Sequence, residues 1–441
     1  MISKPYVKKK RATLTAFVVG LITCTVCSAN EIQTWVLEDG TEVLFLEDHR
    51  APLVSIEINF NVSQLIPWRV KEIANAQAAF RGQLFDKNRQ IRREIESSGV
   101  SISTSLGWER ARIGGSSLAV DFPMLVTLIG KVLENRDYTR TELQKWYRDR
   151  VINWRSTTTN PRTILGQAAY KLLYPNENDP RNAVYDRPQS FSRSAVKLAA
   201  IRDMVLSTPT RNIAVSGSIN KEELHQLIEK LLPAINESSR LRESPKPPDS
   251  KVGNEDTTIE LKNLTQVYMA LVRHSLLFSH DDYPAYLVVN QILGGTFNSR
   301  LYEKLRHETG DTYSATLSSV GTTTERRGML RLQTYTRVDN AVYTERRLRS
   351  VLAELHANGV TEDEVQSALA YLRGSLVFAK ETPIQIVNRA ALNKVAGRDS
   401  NFRELMLERA SQLTLDEINS FARRYYDPTK FALVKVVPES S

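Results

Sequence analysis

The chain has 441 residues, of which 41% are hydrophobic and 25% charged, a composition typical of a globular protein with two to three domains. Its formal net charge of +9 suggests a nucleic-acid-binding protein, but residues 1–29 hold five basic residues and no acidic one. Without them, 54 basic residues face 50 acidic ones and the net charge is +4. The remaining basic segments are short and lack interleaved aromatic residues, which argues against nucleic-acid binding.

The N-terminus has the three parts of a secretory signal peptide. A basic start, Lys4 to Arg11, precedes the apolar run Leu14 to Cys27 and the small-residue site Cys27-Ser28-Ala29. The apolar run is short and rich in threonine, whereas a membrane span needs about 20 apolar residues. We therefore predict a mature N-terminus at Asn30 and secretion, to the periplasm in a bacterium. The alternative is a signal that is retained as an anchor.

The cysteines limit the chemistry of the mature protein. Cys24 and Cys27, the only two, lie inside the predicted signal, so the mature chain has neither disulfides nor cysteine-bound metal. Acylation of either cysteine is disfavoured because Thr23 and Val26 are poor residues before a lipoprotein cysteine.

The first half of the chain alternates strands and helices. Asp39-Gly40 is a hairpin signal between two short strands, and the residues from Val54 to Phe60 alternate in the manner of a strand with one buried face. Thr139 and Glu142 have the spacing of a capping box at the start of a helix. The predicted strands are 35–37, 42–46, 54–61, 100–106, 111–120 and 213–215, and the predicted helices include 72–85, 90–97 and 201–206.

The second half repeats this order of elements. Strands are predicted within 259–272, at 329–336 and at 430–437, and Asp282 and Pro284 open a helix. Thr361 and Glu364 form a second capping box, at the place that Thr139 takes in the first half. Such a repeat indicates two related half-domains.

The predicted fold class is α+β, with two homologous half-domains that each have an antiparallel-rich sheet and helices packed on one face. The predicted organisation is a signal at 1–29, a first domain at 30–235, a linker at 236–256 and a second domain at 257–441. The linker is polar and holds Pro245, Pro247 and Pro248.

The stretch from Leu293 to Ser314 is the most informative part of the sequence. It reads as a helix end, the glycine pair Gly294-Gly295, a short helix, a C-cap at Gly310 and a strand beginning near Tyr313. The two glycines allow backbone angles that are closed to other residues, and the alternative is that they serve only as a helix cap. This order places Arg306 at a helix end and Tyr313 at a strand start, so both polar tips can meet at one edge of a sheet.

These residues resemble the C-terminal half-domain of the pitrilysin/insulinase family of zinc peptidases, in the short-chain branch that includes the mitochondrial processing peptidases. In this stretch the family's sequence pattern is Ser-Arg-Leu, then Arg, then Gly-Leu-Ala-Tyr-Ser. This chain matches at Ser299-Arg300-Leu301, Arg306, Gly310 and Tyr313-Ser314, and departs from the pattern at Asp311-Thr312. The resemblance implies that Arg306 and Tyr313 help to bind a peptide and stabilise the transition state.

The family's zinc site is absent from the sequence. In the family, H-x-x-E-H on a helix of the first half supplies two zinc ligands and the general base, and a later helix supplies a glutamate. Here Asn75, Ala78 and Ala79 take the places of the first histidine, the glutamate and the second histidine. The later region, 151–154, has no acidic residue. Alanine cannot coordinate a metal or accept a proton, so we predict no zinc in this chain.

No other catalytic pattern replaces it. The histidines, none of which lies three or four residues from another, are His49, His225, His274, His280, His307 and His356. Neither a serine nucleophile elbow nor a phosphate-binding loop is present. We expect these histidines to be structural and Glu308, beside His307, to lie on a solvated face.

Two functions remain open. The first is a metal-free subunit of a secreted heterodimeric zinc metallopeptidase that supplies Arg306 and Tyr313 in trans, with zinc held by a sister subunit and peptide as the substrate. The second is a non-catalytic peptide-binding or scaffold protein, in which Arg306 pairs with Glu303 or caps carbonyls and Tyr313 is half-buried. Predicted substrate-binding residues are Gly294, Gly295, Ser103 and Ser105, the serines because first-half strands bind substrate as an added strand in the family.

Overall fold

Two β-sheets, with helices between their strands along the chain, form the frame of the protein. The computed structural model describes residues 31–63, 70–82, 90–107, 109–135, 138–175, 194–208, 210–231, 255–323 and 326–439. The predicted signal peptide and residues 236–254 of the predicted linker lie outside these ranges. The predicted domain limits stay a prediction.

The first sheet has six strands in the order β1-β2-β6-β3-β5-β4. Its β1–β2 hairpin turns at Gly40, where φ is +81°, in agreement with the Asp39-Gly40 signal. Val54, Ile56, Ile58 and Phe60 are all buried, as their alternation in β3 predicts. The strands are β1 Gln33–Val36, β2 Glu42–Glu47, β3 Leu53–Asn61, β4 Ser101–Leu106, β5 Arg110–Leu118 and β6 Arg211–Gly217.

The second sheet repeats the topology of the first. Its five strands have the order β7-β11-β8-β10-β9, which matches β2-β6-β3-β5-β4 strand for strand. Each sheet has a single parallel pair, made by the first strand of the matching series and the last strand of the half, within the described residues. The strands are β7 Thr257–Leu261, β8 Gln266–His274, β9 Ala315–Val320, β10 Met329–Arg337 and β11 Ala432–Pro438. The α+β fold with an internal repeat is therefore confirmed.

The helices fill the intervals between these strands. In the first half they are α1 Val70–Gly82, α2 Gln90–Ser98, α3 Phe122–Glu134, α4 Arg140–Thr157, α5 Pro161–Leu173, α6 Ala195–Leu206 and α7 Lys221–Leu231. In the second they are α8 Tyr283–Gly294, the short α9 Arg300–Tyr302, α10 Ala341–Asn358, α11 Glu362–Phe378, α12 Pro383–Val395, α13 Phe402–Gln412 and α14 Leu415–Tyr425.

Each sheet buries one face against helices of its own half and the other against one helix of the other half. Leu165, Ala169 and Leu173 of α5 share an apolar cluster with strands of the second sheet. In return, Val387 and Ala391 of α12 pack on the first sheet. All residues of β6 are buried, and burial on both faces agrees with the unbroken apolar run Ile213-Ala214-Val215 at its centre. The exchange locks the two halves together.

The two predicted capping boxes have different outcomes. At α11 the Thr361 hydroxyl accepts from the Glu364 amide and the Glu364 carboxylate accepts from the Thr361 amide, so the box is complete. At α4 the prediction is wrong, because the Thr139 side chain makes no capping hydrogen bond. Glu142, the residue meant to reach back, is only 7% exposed and lies in the interior instead.

Candidate functional site

The candidate site is carried by the segment that joins α8 to β9. After α8 the chain turns at Gly294-Gly295, forms α9, and continues as a π-helical turn over Glu303–His307. A loop with Gly310 at φ +64° then leads into β9, the edge strand of the second sheet. β9 begins at Ala315, two residues later than the sequence predicts, so Tyr313 lies in the loop before the strand.

The Ser-Arg-Leu motif anchors the segment to the body of the half. Ser299 is 2% exposed, and the Leu301 side chain is fully buried in the core. The Arg300 guanidinium donates to both carboxylate oxygens of Glu364, at 2.6 and 2.7 Å, and to the Gly359 carbonyl oxygen at 2.8 Å. A bidentate pair of this kind fixes direction as well as distance. The motif therefore sets the position of the residues that follow.

The loop before β9 is held by its own polar side chains. The Gly310 amide donates to the Arg306 carbonyl, which ends the helical turn as predicted. The Asp311 carboxylate pairs with Arg347, and the Thr312 hydroxyl donates to the Ser314 carbonyl at 3.1 Å. Asp311 and Thr312, the two departures from the family pattern, therefore stabilise the loop.

Arg306 and Tyr313 lie together at the end of this scaffold. The guanidinium carbon of Arg306 is 4.7 Å from the centroid of the Tyr313 ring and 5.5 Å from that of Tyr302. Both distances are within the range of cation–π attraction, about 6 Å. The Tyr313 side chain is 75% exposed, so its hydroxyl is free to reach a ligand. The structure thus brings the predicted pair together.

The alternative roles considered for these two residues do not fit their surroundings. Glu303 forms its hydrogen bond with His307, at 2.9 Å, rather than with Arg306. Within the described ranges the Arg306 guanidinium makes neither a hydrogen bond nor an ion pair, and its contacts are with aromatic rings. Tyr313 is exposed rather than half-buried. His307 and Glu308 are exposed, in agreement with the prediction of a solvated face.

Tyr302 is a part of the site that the sequence analysis did not single out. Its ring is 8% exposed and lies beneath Arg306, with Phe297 against its other side at 4.9 Å between ring centroids. The spacing of four residues between Tyr302 and Arg306, which places two side chains on the same helix face, was the available signal.

The glycine pair is explained by close packing and not by backbone angles, which corrects the sequence-based expectation. Gly295 has φ −82°, an ordinary helical value, and neither glycine is among the positive-φ residues of the chain. A Cβ added at Gly294 would lie 2.5 Å from the Leu317 Cβ and 2.7 Å from the Leu317 amide nitrogen. Gly294 therefore lets α8 approach β9, whereas the atoms nearest to a Cβ at Gly295 belong to the side chain of Gln291.

Ser103 and Ser105 lie on a different sheet from the pair. Both belong to β4, the edge strand of the first sheet, and Ser103 accepts a hydrogen bond from the Arg112 guanidinium at 3.1 Å. Arg112 and Arg110 in turn hold the buried Glu57 carboxylate, at 2.6 and 2.7 Å. Side-chain contacts thus link β4 to β5 and β3, but its serines belong to the first sheet, whereas Arg306 lies on the segment that leads into the second sheet.

Tight packing fills the space around the positions on α1 that hold the zinc ligands in the family. Asn75, Ala78 and Ala79 of α1 are at most 1% exposed, and the two alanines share an apolar cluster with Tyr138, Leu143 and Leu198. The Tyr138 hydroxyl donates to the Ala79 carbonyl at 2.8 Å across this contact. A metal with an open water position needs a cavity lined with donors, and these residues do not fit one.

The surrounding groups offer no substitute ligands. In the part of the chain that the structure describes, no three His, Cys, Asp or Glu residues are grouped in a way that could hold a metal ion. His274 is hydrogen-bonded to the Tyr174 hydroxyl at 3.0 Å, which is a structural role. Arg150 of α4 donates to Gln77 of α1 at 2.8 Å, so a polar contact joins the two helices on which the family builds its site.

Comparison with known proteins shows which family the chain is similar to. Residues 199–372 match the family model described as Peptidase M16 inactive domain, a range that includes the whole of the candidate site. The chain fits the inactive branch of the pitrilysin-like M16 family. The family resemblance of the residues from Leu293 to Ser314 is thereby confirmed.

Curated relatives match over parts of their length. The chain is 25% identical over 181 residues to the "Uncharacterized zinc protease YmxG" of Bacillus subtilis, covering 41% of this chain and 43% of that protein. It is 28% identical over 134 residues to the "Non-peptidase homolog YmxG" of Helicobacter pylori, covering 30% and 31%. The alignments thus span less than half of either relative.

Solved structures show the same fold over nearly the whole chain. A peptidase M16 inactive domain from Pseudomonas fluorescens aligns with a TM-score of 0.79 and 19% identity, covering 93% of this chain and 98% of that one. The periplasmic protease PqqL from Escherichia coli aligns with a TM-score of 0.72 and 15% identity, covering 98% of this chain and 49% of PqqL.

The comparisons bear on the zinc prediction. The matching family model describes an inactive domain, and one relative is named a non-peptidase homologue. Together with the loss of the ligand residues, they confirm the prediction that this chain carries no zinc of its own. As for membrane insertion, none of the described helices combines the length and apolar character needed to cross a bilayer.

Proposed function

We propose that this protein is the metal-free subunit of a heterodimeric M16 peptidase and that it presents Arg306 and Tyr313 to the active site of a zinc-bearing sister subunit. The observation that carries the proposal is a contrast within one chain. The zinc-ligand positions are filled by buried alanines and a buried asparagine, whereas Tyr313 is exposed and the half-buried Arg306 lies against its ring.

The pair suits amide hydrolysis. A guanidinium is always charged at physiological pH and donates from a rigid plane, and a phenol donates a single directed proton. Two such donors aimed at one point stabilise the oxyanion that develops when water attacks a peptide carbonyl. In this proposal the sister subunit supplies the zinc, the water and the general base, and Arg306 and Tyr313 lower the barrier without a metal in their own chain.

The substrate in this proposal is a peptide in extended conformation. The edge strand β4, with Ser103 and Ser105, offers unpaired backbone groups to which a peptide can add as a further strand. Gly294 acts only indirectly, because it sets the approach of α8 to β9 and hence the position of Tyr313, whereas the atoms nearest to a Cβ at Gly295 belong to Gln291. The proposed location is the periplasm, on the basis of the signal-like N-terminus; an N-terminus at Asn30 in envelope protein would support it, and an intact Met1 in cytosol would contradict it.

The test requires a sister chain with H-x-x-E-H, sought first in the neighbouring gene. The two purified chains should cleave peptides only when mixed. Arg306→Ala and Tyr313→Phe should each lower turnover by ~10²–10³, the loss expected when one oxyanion donor is removed. Tyr313→Phe keeps the ring that Arg306 contacts and removes only the hydroxyl, so it separates the donor from the cation–π contact.

Matched controls lie on α10. Arg346→Ala and Tyr343→Phe remove an exposed guanidinium and an exposed phenol that lie outside the segment from Gly294 to Ser314, and both should leave turnover unchanged. Because Arg306 touches Tyr313, the double variant should lose less than the product of the single losses. If both site variants pair with the sister and retain full activity, the trans-catalysis proposal fails and the scaffold role takes its place.

A further inference from the structure

A cavity of about 300 Å³ lies among the helices of the second half. Phe278, Leu376 and Phe402 provide part of its apolar lining, and Tyr283 and Arg398 bring polar atoms to it. Its volume is at the lower end of the range for small-molecule sites, about 300–1,000 Å³. The cavity is formed by α8 and the loop before it, α11, α13, the end of α12 and the turn that follows, so it lies outside the segment that carries Arg306 and Tyr313.

The turn after α12 fixes Arg398 at the cavity. Gly397, with φ +72°, donates from its amide to the Lys394 carbonyl, and the Arg398 amide donates to the Asn393 carbonyl at 2.8 Å. This pair of bonds closes the helix in a Schellman motif. The Arg398 backbone is therefore part of a well-defined helix end rather than of a loose loop.

The Arg398 side chain is a cation without an anionic hydrogen-bonding partner among the described residues. Its guanidinium carbon is 4.7 Å from the Phe278 ring centroid and 5.5 Å from that of Phe402. Its Nε atom is buried and has no hydrogen-bond partner within the described chain. Burial lowers the pKa of Arg398, although the charge of Glu109 opposes this shift. Contacts with rings leave the edge of a guanidinium free to bind a carboxylate in its plane.

Further positive charge surrounds the same place. Arg403 also lines the cavity, and it lies close enough to Arg389 to lower the pKa of Arg389, after the larger effect of burial. The Nη1 atom of Arg389 is also buried without a partner among the residues described. The carboxylate next to Arg403 in sequence, Glu404, is bound to Lys380 at 2.8 Å. Cations thus exceed acids at a cavity whose walls are apolar.

We propose that this cavity binds a small carboxylate carried on an apolar group, with the apolar part between Phe278, Leu376 and Phe402 and the carboxylate on Arg398 and Arg403. Two sources share this chemistry, a medium-chain fatty acid and the C-terminal residue of a hydrophobic peptide. The site does not depend on the trans-catalysis proposal, since it uses none of the same residues.

Isothermal titration calorimetry of the purified chain tests the proposal with octanoate and with N-acetyl-leucine, which stand for the two sources. At least one of them should bind saturably, and the tighter one identifies the source. Octanol and octylamine keep the eight-carbon chain of octanoate but lack its carboxylate. If the fatty acid is the ligand, both should bind at least about tenfold more weakly than octanoate, because the charge-assisted hydrogen bond to the carboxylate is lost.

Variants locate the binding. Arg398→Gln should weaken binding of the tighter ligand by about tenfold to a hundredfold, the loss expected for a charge-assisted hydrogen bond. Leu376→Phe, which fills the cavity and leaves both arginines in place, should abolish it. Arg409→Gln, an exposed arginine on the same helix α13 as Arg403, is the control and should bind like the parent chain.

Circular dichroism and thermal unfolding establish that each variant is folded before it is titrated. The proposal is overturned if neither carboxylate binds, if octanol binds as tightly as octanoate in a chain that prefers octanoate to N-acetyl-leucine, or if folded Arg398→Gln and Leu376→Phe both keep the parent affinity.

Discussion

Restoring a zinc ligand to α1 should destabilise the protein instead of recreating a metal site. Ala79 is fully buried, and its neighbours Tyr138, Leu143 and Leu198 leave it no room for an imidazole. Ala79→His adds a ring to a packed interior, which typically costs about 1–3 kcal/mol. It also buries a polar group without a partner, which costs about 1–3 kcal/mol more. We therefore expect the free energy of unfolding to fall by about 2–6 kcal/mol.

Urea unfolding of the purified chain, followed by circular dichroism, measures this loss. Arg81→His places the same side chain on an exposed position of the same helix, and it should change the free energy of unfolding by less than about 0.5 kcal/mol. A fall in stability for Ala79→His and not for Arg81→His assigns the effect to packing and not to the imidazole as such.

The combined variant Asn75→His, Ala78→Glu and Ala79→His carries the reasoning further. It supplies H-x-x-E-H, but the region 151–154 still lacks the acid that the family pattern requires. We expect no stoichiometric zinc after dialysis, measured by elemental analysis. A triple variant that keeps the parent stability and retains zinc would refute the claim that packing has closed this site.

Three further predictions concern the scaffold of the candidate site. Gly294→Ala should lower the free energy of unfolding by about 1–3 kcal/mol, because its Cβ would press on the backbone of β9, whereas Gly295→Ala should change it by less than about 1 kcal/mol. Urea unfolding of the two variants measures both changes, and equal effects would contradict the packing explanation. Burial raises the pKa of Glu364, but hydrogen bonds from Arg300 and Thr361 outweigh it and hold that pKa below its ordinary value of 4.5, so the stabilisation is present above that pH and is lost as the pH falls through the lowered pKa. Glu364→Gln should therefore flatten the acid limb of the stability profile, and an unchanged profile would show that the ion pair contributes nothing. Asp311→Leu, which restores the family residue, should lower stability by about 1.5–3 kcal/mol by removing the partner of Arg347, and a neutral result in thermal unfolding would show that the loop is held without this pair.

Local patterns predicted the strands better than they predicted what covers them. The alternation from Val54 to Phe60 identified β3 and its buried face, because a strand shows its two faces as a period of two. No local pattern indicates that α5 packs on the second sheet and α12 on the first. The sequence of a helix indicates that one of its faces is apolar, but it does not indicate which sheet packs against that face.

Capping and glycine show the same limit on a smaller scale. Thr139 and Thr361 have the same sequence pattern, yet only Thr361 forms the capping box, because burial places Glu142 elsewhere. Gly294 was predicted to matter for its backbone angles, but the requirement comes from Leu317, a residue on another element. In both cases a tertiary contact decides the role of a residue that local chemistry had suggested.

The candidate site follows the same division. The meeting of Arg306 and Tyr313 could be predicted because a short helix, a C-cap at Gly310 and a strand leave the chain little choice between them. Tyr302 was missed because a buried tyrosine on an apolar helix face is usually core. Its ring nonetheless limits where the guanidinium can go, so the position of Arg306 depends on a residue that the family motif does not include.

The contacts that hold the backbone around Arg306 and Tyr313 do not use the side-chain groups of these two residues. Arg300 on Glu364 and Asp311 on Arg347 hold the backbone on both sides of the pair, and neither contact involves the guanidinium of Arg306 or the hydroxyl of Tyr313. Ordering a flexible arginine at the moment of binding costs about 0.5–1.5 kcal/mol, and a segment that is already anchored avoids part of that cost. The arrangement therefore favours a protein that offers both groups to a ligand, and the partner experiment asks whether that ligand is a peptide bond under attack.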